Sequence, residues 1–124
     1  MKIDRQQVYR KYNGHCAYCG QEIDFKDMQV DHMFPKCLDG MYDWGGLKYE
    51  GTHIDEYDNL MPSCRICNHY KRANNLESYR NLMTTLHERL MKIYIVRVAV
   101  KYGIAKITPF DGMFYFEKQN KNEM

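Results

Sequence analysis

An α+β fold of one small domain is what this 124-residue sequence predicts. Three observations carry it. Short runs bounded by turn formers at 28–34 and 59–63 read as strands, apolar residues at three- and four-residue spacing over 5–12 and 76–90 read as helices, and two C-x-x-C pairs bracket both strands. The length is too short for two full cores, and 44% hydrophobic residues are too many for a disordered chain.

The first helix is placed at 5–12, with Asp4 as N-cap, Gln7 as its capping-box partner and Asn13-Gly14 as the stop. Val8, Tyr9 and Tyr12 fall on one face. The helix leads into His15-Cys16-Ala17-Tyr18-Cys19-Gly20, a compact knuckle in which Gly20 takes the left-handed conformation that turns the chain. A strand over 28–34, MQVDHMF, is closed by Pro35. Residues 38–58 form a long acidic loop, with Asp39, Asp43, Glu50, Asp55, Glu56 and Asp58 against Lys48 alone. A second strand follows at 59–63, and Ser63 is placed to cap a helix holding Cys64, Cys67 and Asn68-His69-Tyr70-Lys71-Arg72. Asn74 and Glu77 suggest another capping box, before an amphipathic helix carrying Leu76, Tyr79, Leu82, Met83, Leu86 and Leu90. Residues 92–102 alternate like a strand, but their length and Gly103 suit a helix, which is the reading adopted. Met113–Glu117 reads as a strand pairing with 104–108 in a C-terminal hairpin turned by Pro109–Gly112. The domain is taken as 1–124, with a core at 16–74 and a helical and hairpin extension at 75–118 packed on it.

No apolar run approaches the eighteen or so residues a membrane span needs, and the opening MKIDRQQVYRKY is polar, which argues against membrane insertion and secretion. Five cysteines are an odd number, and four of them stand as Cys16-x-x-Cys19 and Cys64-x-x-Cys67. That argues for a metal in a reducing compartment over a disulfide framework. Two intervening residues let both sulfurs of a pair face one ion at about 2.3 Å, and four thiolates close a tetrahedron with no open position, so the ion is a structural Zn²⁺. Cys37 reads as a small core or loop residue, His15 as a bystander to the knuckle, and His53 and His87 as solvated.

Between and after the knuckles stand Asp31-His32, Asn59-Leu60 and Asn68-His69-Tyr70-Lys71. Phosphodiester hydrolysis needs an activated water, an ion against the charge building on phosphate and leaving oxygen, and a rigid frame. Imidazole is the side-chain type suited to a general base at neutral pH, while a carboxylate and an amide oxygen are hard ligands for Mg²⁺ or Mn²⁺. Neighbouring strand residues point to opposite faces, so the side chains of Asp31 and His32 must diverge locally.

In order and identity, Cys16-Ala-Tyr-Cys19, Asp31-His32-Met-Phe-Pro35, Asn59-Leu60 and Cys64-Arg-Ile-Cys67-Asn68-His-Tyr-Lys71 resemble the HNH endonucleases. The third letter of the family pattern is often His; here Asn68 makes an H-N-N variant, with His69 one place off. The resemblance implies a ββα-metal, treble-clef-like core held by zinc. It implies that His32 deprotonates water, Asp31 and Asn68 hold Mg²⁺ or Mn²⁺, Asn59 fixes the loop orienting His32, and Lys71 and Arg72 hold the substrate phosphate, Lys71 alternatively the helix. The implied activity is a metal-dependent endonuclease on double-stranded DNA, with RNA open, in the cytoplasm of a bacterial or phage-infected cell. A non-catalytic zinc module binding nucleic acid or protein is the alternative. Oligomeric state is not legible.

The formal charge of +2 says little about partners. Four thiolates and one Zn²⁺ would add −4 and +2 to it, giving zero. Its distribution is more telling, since Arg65, Lys71, Arg72, Arg80, Arg89, Lys92, Arg97, Lys101 and Lys106 face only Glu77 and Glu88 over 65–106.

Overall fold

The structure, a computed structural model, describes residues 2–34, 43–44, 47–48 and 54–122. Pro35, Cys37, His53 and most of the acidic loop lie outside the described residues. The chain divides into two compact units, Met1–Leu76 with Phe114–Met124, and Glu77–Met113. No described helix is long and apolar enough to cross a membrane.

In the first unit, helix α1 (Arg5–Arg10) starts where Asp4 Oδ1 accepts from the amides of Gln6 and Gln7, and it ends before Asn13 and Gly14, both at positive φ. Strand β1 (Gln29–His32) pairs antiparallel with β4 (Leu60–Ser63), Gln29 opposite Ser63 and His32 opposite Leu60. Two short strands, β2 (Asp43–Trp44) and β3 (Leu47–Lys48), form their own ladder between them. Pro62 is tolerated in β4 because its amide is not needed by the ribbon, while its carbonyl accepts from Ala17 and so seats the first knuckle against the strand. Val8, Met28 and Leu60 form the core between α1 and the ribbon, flanked by Ile3, Tyr9, Ile23 and Val30. The Lys11 ammonium donates to the carbonyls of Tyr57 and Leu60, both at 2.9 Å, and fastens the end of α1 to the start of β4.

Helix α2 (Arg65–Lys71) follows directly. Its N-cap is Cys64, whose sulfur accepts from the Cys67 amide, in place of the expected Ser63; Ser63 is still in the strand, where its hydroxyl donates to the Cys64 carbonyl. Arg72 at φ 53 ends the helix. The Asn74 amide turns back to the Lys71 carbonyl at 2.9 Å, closing α2.

The predicted C-terminal hairpin is absent. Residues 104–114 carry no strand, and 115–122 form helix α6 (Tyr115–Asn122). Glu117 Oε1 accepts from the Phe114 amide at 2.9 Å, the reach-back half of a capping box, and this starts a helix where apolar alternation suggested a strand. The amides of Tyr115 and Phe116 donate to the carbonyls of Tyr18 and Ala17, and Phe114 and Phe116 pack edge-on against the Tyr18 ring. Gly20, at φ +80 as expected, lies so close to α6 that a Cβ there would meet Tyr115 Cδ1 at 2.6 Å.

In the second unit the predicted amphipathic helix is two pieces, α3 (Leu76–Thr84) and α4 (Leu86–Met91). The hydroxyls of Thr84 and Thr85 donate to the Asn81 carbonyl, the back-bonding that competes with continuous helix. Residues 94–101 are helical, as α5 (Tyr94–Lys101). Arg80 holds the following extended segment to α3, donating to Glu77 and to the Gly112 carbonyl. His87, expected to be solvated, is half-buried, with Nδ1 enclosed.

Candidate functional site

Each C-x-x-C pair sits on a turn that the backbone makes compulsory. The Gly20 amide donates to the Cys16 carbonyl and the Cys16 amide to the Gln21 carbonyl, curling the first pair; the second straddles the first turn of α2. The four sulfurs lie within 4.8 Å of one another, and those of Cys19 and Cys64 are 3.8 Å apart. A zinc tetrahedron with bonds of about 2.3 Å has edges of about 3.8 Å, so the donor set fits Zn²⁺ in both softness and size. Among the described residues this tetrad is the cluster of His, Cys, Asp or Glu groups positioned to hold a metal.

Without a cation, four such thiols cannot all ionise. Hydrogen bonds from Cys19 and Cys67 hold the Cys16 thiol far below the ordinary thiol range, and the reciprocal bonds to Cys16 push Cys67 far up and Cys19 up to about 11. A divalent ion would lower all four by making every thiolate favourable.

Asp31 and His32 do diverge. Asp31 points inward and is 5% exposed. Its Oδ2 accepts from the Tyr18 hydroxyl and lies 3.2 Å from the Lys71 ammonium, while Oδ1 is a looser 3.4 Å from Lys71. Burial pushes the Asp31 carboxyl above its ordinary value; Lys71 and Tyr18 oppose that shift. His32 points the other way, and its Nε2 lies 2.6 Å from Asp55 Oδ1.

Asn59 is buried, and its amide spans two segments. Oδ1 accepts from the Phe34 amide at 2.7 Å, and Nδ2 donates to the carbonyls of Phe34 at 3.1 Å and Ile54 at 2.7 Å. One side chain thus ties the residue two places after His32 to the residue just before Asp55.

Lys71 has no exposed surface, and its third partner is the His32 carbonyl at 3.2 Å. The buried ammonium, with three acceptors, holds helix to strand, the alternative role expected of it, and has no surface to offer a phosphate, whereas Arg72 at the helix end is exposed. Asn68 lies three residues before Lys71, one turn back on α2, and is half-buried. His69 is exposed. The His15 ring bonds the Tyr12 carbonyl and stacks on Tyr115, apart from the sulfur tetrad.

The structure therefore assembles the cysteine tetrad, docks Lys71 onto Asp31 and braces the His32 segment with Asn59, while the Asp31 carboxylate and the His32 ring bond different partners. Two partners are missing from the sequence reading. Asp55 is one acid among several in the loop, and Tyr18 looks like knuckle filler; only their reach across the fold marks them.

The HNH endonuclease family model matches residues 16–74. No curated protein and no solved structure matches the chain.

Proposed function

We propose, with residues 16–74 forming an HNH endonuclease domain, that this protein is a metal-dependent endonuclease that hydrolyses phosphodiester bonds of double-stranded DNA. The observation that supports this best is the placement of Lys71. By bonding both the Asp31 carboxylate and the His32 carbonyl, it fastens α2, the helix that carries Asn68, to the strand that carries the other two motif residues.

In that frame His32 takes the proton of the attacking water as general base. Asp31 and Asn68 offer a carboxylate and an amide oxygen for Mg²⁺ or Mn²⁺, which when bound neutralises charge on the phosphate and leaving oxygen. Arg72, together with Arg65, also exposed on α2, supplies positive charge beside the motif. In the second unit Lys92, Arg97, Lys101 and Lys106 are exposed and suit a polyanion backbone. The non-catalytic zinc module is favoured by one observation, that Asp31 is already satisfied by Tyr18 and Lys71.

Incubation of the zinc-loaded protein with supercoiled plasmid and Mg²⁺ or Mn²⁺ separates the two. Nicked or linear product that disappears in His32→Ala is the expected result. No cleavage with any divalent ion, or cleavage unchanged in His32→Ala, would overturn the nuclease reading. A parallel incubation with structured RNA shows whether the substrate is DNA alone.

A further inference from the structure

We infer that Asp55 is a positioning residue for His32: its carboxylate holds the Nε2–H of the ring and leaves Nδ1 as the nitrogen offered to the attacking water. The inference rests on the nuclease reading above and adds to it a residue outside the four spaced motif elements.

The chemistry of the contact fixes the tautomer. An ionised carboxylate only accepts hydrogen bonds, so a 2.6 Å contact between Asp55 Oδ1 and His32 Nε2 requires the proton on Nε2. In a neutral imidazole the lone pair is then on Nδ1. The contact is shielded as well as short, the two side chains being 11% and 15% exposed, so solvent competes weakly for either partner.

Asp55 is also held still. Ile54 before it is fully buried, and the Ile54 carbonyl is anchored by Asn59 Nδ2. The same Asn59 amide grips Phe34, on the segment that leaves His32, so one side chain sets both backbones that meet in the pair. A base whose ring can neither spin nor change tautomer is preorganised for proton abstraction, which is how carboxylates beside histidines serve metal and hydrolase centres.

Asp55→Asn tests this on the full zinc-loaded chain. The isosteric amide can donate to Nε2 and so favours the opposite tautomer, with its proton on Nδ1. The ¹⁵N spectrum of the neutral His32 ring, assigned by difference from His32→Ala, should show the Nε2–H form in the wild type and lose it in Asp55→Asn. In plasmid cleavage kcat should fall by about a hundredfold or more with KM little changed, and Asp55→Glu, which keeps the acceptor, should recover part of the loss. An Nδ1–H tautomer in the wild type, or unaltered kcat in Asp55→Asn while His32→Ala is inactive, overturns the inference. Cleavage indifferent to His32→Ala would sink the nuclease reading instead, and the tautomer would still decide whether Asp55 holds the ring.

Discussion

The ammonium of Lys71 lies 3.2 Å from the Asp31 carboxylate in an ion pair whose members are 0% and 5% exposed. Asp31 is thus part of the folding core as well as a motif residue. Removing one member of a buried pair leaves the other charged and unsolvated, at a cost of about 3–5 kcal/mol. Lys71→Met is expected to destabilise the domain by that order at neutral pH. The sign of its pH dependence follows from Asp31, whose carboxyl burial already raises above the unfolded value, and more so without Lys71. A raised folded value means stability missing at neutral pH and recovered as pH falls through it. Urea unfolding of Lys71→Met against wild type should therefore show the gap narrowing on acidification; a gap constant from neutral to mildly acidic pH would contradict the pairing.

The four sulfurs within 4.8 Å should bind one zinc per chain. Zinc ligation in small peptides is worth about 10–16 kcal/mol, comparable with the whole stability of a domain of about 5–15 kcal/mol. Cys16→Ser and Cys67→Ser, at buried sulfurs, are expected to lose the metal and cooperative folding together. Metal analysis with circular dichroism checks this. Because thiolates must form for the ion to bind, chelators or acid should release zinc and unfold the protein in the same transition.

Asn59→Asp isolates the staple from its shape. The carboxylate keeps an acceptor for the Phe34 amide but turns the Nδ2 donor into an oxygen facing the carbonyls of Phe34 and Ile54. Orphaning buried polar groups costs about 1–3 kcal/mol each, so a loss of that order or larger is expected in denaturant unfolding. A silent Asn59→Asp would mean that the amide does not bridge the two segments.

Exposed Lys92, Arg97 and Lys101 should bind phosphates without sequence preference. Each replacement by Gln is expected to weaken DNA binding about equally across sequences, and to flatten the dependence of log K on log salt by roughly one for each cation removed. Titrations at several salt concentrations read this directly. An unchanged slope would leave these side chains as a solvated face.

The C-terminal segment shows where reading by pattern stops. Met113–Phe116 alternates over too few residues to separate a strand period from a helix period. The deciding interactions are local for Glu117, whose carboxylate caps the Phe114 amide, and remote for Phe114 and Phe116, which bury on Tyr18 at the first knuckle. Similarly, Lys71 and Arg72 are adjacent cations in sequence, yet one has no exposed surface and the other is open to solvent.

What the sequence by itself determined is the chemistry that depends on spacing: two C-x-x-C pairs for one ion, Asp31 and His32 on opposite faces of one strand, and Asn68 and Lys71 on one helix face. These follow from the strand and helix periods and from the reach of a thiolate. Tertiary structure alone decided that Tyr18 and Lys71 meet at Asp31, that Asp55 meets His32, and that Asn59 braces both sides of that meeting. Such pairings join residues far apart along the chain, and burial, which local periodicity does not encode, sets which charges must find each other.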